Sequence, residues 1–127
     1  MRPTTRLFAA AMLLVPQVVL AQGDPVRGGK LFLQCRACHT VGATEANGVG
    51  PNLNGVAGAR AGAKPGYSFS PALAKSGIVW TGAQLDVFLK RPSAVVPGTK
   101  MAFPGIAAPQ NRADMIAYLV TLKPAKR

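Results

Sequence analysis

Apolar positions along this chain fall into two regimes. Near the start they form one continuous block, Leu7 to Leu20, interrupted by Pro16. Beyond residue 22 they recur at helical intervals, and no run alternates like a strand. Four helical segments are predicted. The first opens with Asp24 as N-cap and Pro25 at the first helical position, and it sets Gly28, Phe32 and Cys35 on one face. The second is short: Ser70 caps it, Pro71 starts it, Ala72 to Ser76 continue it and Gly77 stops it. The third opens with Thr81-x-x-Gln84, a capping-box pattern, turns Leu85, Phe88 and Leu89 inward and ends before Pro92. The last covers roughly Arg112 to Lys123, with Met115, Leu119 and Leu122 on one stripe and Pro124 as its stop. Segments 40–69 and 92–110 remain as long irregular stretches.

The leading block carries Arg2 and Arg6 ahead of it and Val19-Leu20-Ala21 behind it. A basic n-region, an apolar run and a small-residue cleavage site read as a secretory signal over residues 1–21, with a mature start at Gln22. The run falls short of the roughly 20 apolar residues that span a bilayer, which weighs against an uncleaved anchor. The remaining chain, residues 22–127, is long enough for a single domain with no repeat and no linker. The formal charge of +11 falls to +9 when the two leader arginines go. A basic surface of that size favours acidic partners and fast, salt-sensitive encounters. Nucleic acid is a poor alternative: no basic run exceeds two residues, and no aromatic cluster offers stacking platforms.

Candidate chemistry is concentrated at Cys35-Arg36-Ala37-Cys38-His39. These are the only two cysteines and the only histidine in the chain. C-x-x-C-H is the attachment pattern of a c-type haem. Two thiols three positions apart each reach one porphyrin vinyl group, and the next residue places an imidazole over the iron. A thioredoxin-type dithiol would need a βαβ pattern, which is missing. Zinc would need more ligands than one histidine, two cysteines and four scattered acids supply. A plain disulfide leaves the adjacent histidine without a reason. The haem reading also accounts for the irregular stretches, which are uncommon in a compact domain unless a large apolar disc replaces the missing core.

An electron-carrying haem iron takes two protein ligands, and His39 supplies one. Met1 and Met12 belong to the leader, and Met115 sits in a helical stripe as core. Met101 lies instead in a loop bracketed by Pro97-Gly98 and Pro104-Gly105, which makes it the candidate second ligand. A thioether is soft, favours reduced iron and raises the potential.

Beyond the haem motif the chain contains, in order, Gly50-Pro51-Asn52-Leu53, Pro65-Gly66-Tyr67, Gly77-Ile78-Val79-Trp80, Pro97-Gly98-Thr99-Lys100-Met101 and Ala117-Tyr118-Leu119. With that ordered set it resembles the class I c-type cytochromes, of the mitochondrial and related bacterial type, over essentially all of residues 22–127. The resemblance implies an all-α fold of about four helices and long loops wrapped around one covalent haem c. It implies that the Pro51 carbonyl accepts a hydrogen bond from His39, that Trp80 and Thr99 serve the haem propionates, and that Gly28, Tyr118 and Leu119 form a close crossing of the first and last helices. Departures from the family are Phe69 and Phe88, where tyrosines are common, and Ala59 in place of an arginine near the inner propionate, with Arg60 one position away. Lys100 and Lys30 keep part of the family's basic rim. Ser93 and Ala94 replace a basic pair, for which Lys90 and Arg91 stand nearby.

The resulting expectation is a monomeric, periplasmic, soluble one-electron carrier of a respiratory or photosynthetic chain. His39 and Met101 would be its iron ligands and Cys35 and Cys38 its thioether links. It would not be an enzyme. A quinol-oxidising complex would be the donor, and an oxidase, reaction centre or reductase the acceptor, each presenting an acidic docking surface. The alternatives are a peroxidase-like haem c enzyme, which needs an open axial site and a distal acid–base group, or a dedicated electron-transfer subunit of one respiratory complex.

Overall fold

A computed structural model describes residues 22–123. The predicted signal sequence and Pro124 lie outside the described residues. Five α-helices and one 3-10 turn occur in this span: α1 (Pro25–Leu31), the 3-10 turn Phe32–Gln34, α2 (Pro71–Ala74), α3 (Gly82–Lys90), α4 (Pro92–Val95) and α5 (Pro109–Thr121). The only strand-like pairing among the described residues is an isolated antiparallel bridge between Arg60 and Val79. The all-α expectation therefore holds, with one helix more than predicted.

Local chemistry explains the element ends. The Asp24 carboxylate accepts from the amides of Val26 (2.8 Å) and Arg27 (3.1 Å), so two free donors at the start of α1 are satisfied. Ser70 Oγ caps α2 through Leu73 N–H at 3.2 Å. That helix ends at Ala74 rather than Ser76, and Gly77 leaves it at a φ of +69°. Thr81 Oγ1 accepts from Gln84 N–H at 3.2 Å. Only half of the predicted capping box forms, because the Thr81 amide donates instead to Val79 O at 2.8 Å. Two differences from the sequence pattern share one cause. The pattern predicts a stop at Pro92 and irregular chain over 92–110, yet Pro92 opens α4; α5 starts at Pro109, three residues before Arg112. A proline has its φ preset for a helix and gives up an amide that would be unpaired anyway, so it begins helices as readily as it ends them.

The main packing is α1 against α5. At Gly28 a Cβ would overlap the Asp114 carbonyl oxygen and lie 2.8 Å from Tyr118 Cβ, so the crossing needs glycine there. Phe32 and Met115, each 1% exposed, fill the interior with Leu119, and the Phe32 and Tyr118 rings sit 5.0 Å apart. Burial of side chains this size contributes about 1.5–3 kcal/mol each. An ion-pair fork seals the edge. Arg27 Nε donates to Asp114 Oδ2 at 2.8 Å and Nη2 to Oδ1 at 3.0 Å, while Asp24 N–H and Gln110 Nε2 also donate to Oδ1. Four donors on one buried carboxylate, Arg27 foremost, hold Asp114 well below the ordinary carboxylate range. The crossing of Gly28, Tyr118 and Leu119 is thus formed as expected, and Met115 is core.

Segments 40–69 and 96–108 wrap the other side. A short ladder pins the first of them to Trp80: Gly58 N–H donates to Trp80 O, Trp80 N–H to Ala59 O, and Ala61 N–H to Ile78 O, each at 2.8 Å. Trp80 is buried, with its ring 4.8 Å from that of Phe88 on α3.

Candidate haem site

Between the two sides lies a cavity of about 650 Å³. Cys35, Cys38, His39, Pro51, Trp80, Thr99 and Met101 all line it, so residues from separated stretches of sequence meet there. Leu53, Val56, Leu73, Leu85, Phe88 and Leu89 give it an apolar wall.

The cysteine–histidine motif continues directly from α1. The 3-10 turn tightens the helix end, and the chain then closes another turn, with Cys38 N–H and His39 N–H both donating to Cys35 O at 3.1 and 2.9 Å. Cys35 is half-buried and Cys38 exposed, and the two are not joined in a disulfide. Burial pushes the Cys35 thiol upward in pKa, and Cys38 beside it adds to the shift.

His39 Nδ1 lies 2.7 Å from Pro51 O. A carbonyl only accepts, so Nδ1 carries the proton and Nε2 keeps its lone pair for a metal. The preceding glycine makes this possible: at Gly50 a Cβ would fall 2.6 Å from His39 Cε1. Asn52 organises the same turn from the interior. Its Nδ2 donates to Thr40 Oγ1 (3.0 Å), Gly42 O (2.9 Å) and Glu45 O (3.1 Å), and its amide donates to Asn47 Oδ1 at 2.7 Å. Glu45 closes the outer edge by accepting from Gly42 and Val41 amides, which lowers its pKa.

The Met101 segment is tied at several points. Thr99 Oγ1 accepts from Met101 N–H at 3.2 Å, leaving its own O–H free to donate. Lys100 Nζ donates to Ser68 O at 2.8 Å, so this rim lysine also fastens the loop. Phe69 stands at the cavity wall, edge-on to Tyr67 at 4.8 Å, and Tyr67 O–H donates to Val49 O at 2.9 Å. Ala59 and Arg60 reach the cavity as well, with Arg60 exposed. Lys64 is a cation at the site that the sequence pattern does not reveal. It is half-buried, lines the cavity and donates from Nζ to Asn54 O at 2.8 Å. It stands in a glycine- and alanine-rich stretch without periodicity, and nothing local signals its position.

A deep apolar cavity, a C-x-x-C-H turn on its wall, an oriented imidazole and a thioether fit a flat iron macrocycle. The sequence model of the cytochrome c family matches residues 25–123. The chain is 54% identical over 114 residues to cytochrome c2 of Rhodomicrobium vannielii, covering 90% of this chain and 91% of that protein. It is 46% identical over 115 residues to cytochrome c-554 of Methylosinus trichosporium, covering 91% of this chain and 87% of that one. The solved structure of cytochrome cH from Methylobacterium extorquens superposes with a TM-score of 0.74 at 53% identity, over 78% of this chain and 99% of that chain. The chain belongs to the cytochrome c family, as a class I c-type cytochrome. It binds one covalent haem c, and the family to which it belongs carries electrons.

Proposed function

We propose that this chain is a one-electron carrier whose haem iron is held by His39 Nε2 and Met101 Sδ, with thioether links at Cys35 and Cys38. One observation carries the reading: the imidazole whose tautomer is set by Pro51 and the only methionine of the 97–105 loop line the same apolar cavity. Bound haem c supplies an iron that exchanges one electron between ferric and ferrous forms. The protein's part would be to hold the iron through His39 and Met101, to keep water off the apolar face and to position donors at the polar edge. The hydrogen bond to Pro51 makes His39 a more basic ligand. The Trp80 indole and the Thr99 hydroxyl would serve the propionates, with Lys64 and Arg60 as cations that line the same cavity. With His39 and Met101 both holding the iron, bound haem would be left to exchange electrons rather than to take a substrate at the metal.

Residues 1–21 act as the export signal, and the mature carrier works in the periplasm as a monomer. Its basic surface docks on acidic faces of a quinol-oxidising donor and of an oxidase, reaction centre or reductase. Among the described residues, no helix is long and apolar enough to cross a membrane. Redox titration of the purified holoprotein, with a ferric near-infrared spectrum, tests the ligation. The sulfur-to-iron charge-transfer band should be present and should vanish in Met101→Ala. The midpoint should then fall by a sizeable part of the roughly 0.8 V that axial ligation commands. An unchanged spectrum overturns the assignment. Carbon monoxide that readily binds the ferrous wild type would favour a haem enzyme instead.

A further inference from the structure

Arg112 sits where α5 meets α3 and the end of the Met101 segment. Its side chain is only 7% exposed, yet all its polar contacts run to groups outside α5. Nε donates to Asp86 Oδ1 on α3 at 2.7 Å. Nη1 donates to the carbonyls of Ile106 (3.0 Å) and Ala107 (2.9 Å). A buried guanidinium is costly unless fully paired, so the charge and its three acceptors depend on one another. The two carbonyls it holds belong to the downstream limb of the methionine segment. The same limb is pinned twice more: Ile106 N–H donates to Leu89 O at 2.8 Å, and Gly105, at a φ of +114°, packs on the Lys90 carbonyl where a Cβ would not fit.

The upstream limb is tied differently. Lys100 bonds Ser68 O from an exposed position, Thr99 Oγ1 holds Met101 N–H at 3.2 Å in a half-buried place, and Thr99 N–H donates to the carbonyl of buried Val96 at 3.0 Å. Between Met101 and Ile106 the backbone makes one bond of its own, Phe103 N–H to Met101 O at 3.0 Å. The upstream ties are either neutral or exposed, whereas the Arg112 bonds to the Ile106 and Ala107 carbonyls carry a positive charge on a buried side chain, and such bonds open less easily. The hold on Met101 therefore runs through the buried end.

We propose that Arg112, aligned by Asp86, is a positioning residue for Met101. The clamp sets how often the methionine segment leaves the cavity, and so how open the site is to a small ligand from solvent. This rests on the reading of Met101 as an iron ligand.

The test uses ferric holoprotein and imidazole as the probe. Arg112→Lys keeps the charge but loses the fork; Asp86→Asn keeps an acceptor and loses the charge. Arg27→Gln, at the α1–α5 edge, is the control for general loss of stability. Apparent imidazole affinity should rise roughly tenfold in Arg112→Lys, less in Asp86→Asn, and not in Arg27→Gln. Amide exchange at Phe103 and Ile106 should quicken in the first two variants only. Wild-type affinity and exchange in both clamp variants, or an equal effect in the control, overturns the proposal. A wild type without the near-infrared band would fail the ligation reading, while the exchange measurement would still decide whether the clamp exists.

Discussion

At the α1–α5 crossing the protein packs only against itself; around the cavity, two long segments pack against space that the polypeptide does not fill. The crossing is short-range in its logic. A glycine removes the steric obstacle, Phe32 and Met115 supply apolar area, and Arg27 with Asp114 closes the edge. The cavity side has turns, side-chain caps and single hydrogen bonds to backbone, but its apolar wall faces inward on about 650 Å³. The difference shows how a chain of this length can sustain such long irregular segments: part of its core is protein, and the rest is prosthetic group.

The comparison breaks most visibly if the haem is removed. Cys35→Ser/Cys38→Ser protein, prepared without haem, should show no cooperative thermal transition, and residual amide protection should be confined to α1 and α5. A sharp transition, or protection spread into 40–69, would mean that the loops hold themselves. The next largest effect should come from the crossing itself. Gly28→Val drives a branched side chain into the Asp114 carbonyl and should cost the holoprotein about 3 kcal/mol by denaturant titration, while the near-infrared band of any folded fraction stays in place. Loss of the band alongside stability would show that the two regions are not separable.

The smallest effect is a pH dependence. Asp114 has a folded pKa depressed below its unfolded value by Arg27 and its other donors. Its contribution is therefore complete above the unfolded carboxylate value near pH 4 and is lost as pH falls toward the folded value. Melting curves of Asp114→Asn should lie below wild type at neutral pH, and the gap should narrow steadily as pH falls below about 4. Parallel curves with a constant gap would assign the effect to packing rather than to charge.

Much of this can be read from the residues because the signals are local. Caps at Asp24, Ser70 and Thr81, the C-x-x-C-H turn and the stripe of Met115 and Leu119 each act within a few positions of themselves. The helix α4 and the start of α5 are hidden, since proline is compatible with both an end and a beginning. The ladder of 58–61 with 78–80 has no alternating pattern, and only the fold brings Gly58, Ala59 and Ala61 opposite 78–80. Lys64, Asn52 and Arg112 are hidden for a related reason: each is defined by which carbonyl or side chain beyond its own helical or turn reach it meets. The candidate site is legible where its chemistry is rare in the chain, at one histidine and two cysteines, and not where it is built from common residues.

The acidic side chains show how this chain is free to change. There are only four, and each is committed inside the fold: Asp24 and Asp114 to Arg27, Asp86 to Arg112, and Glu45 to the Val41 and Gly42 amides. Replacing any of them alters charge and structure together. Exposed lysines such as Lys75 and Lys90 carry no such double duty. The positive field can therefore be lowered at such exposed lysines without touching a contact, whereas raising it by removing an acid would loosen a helix contact or a turn.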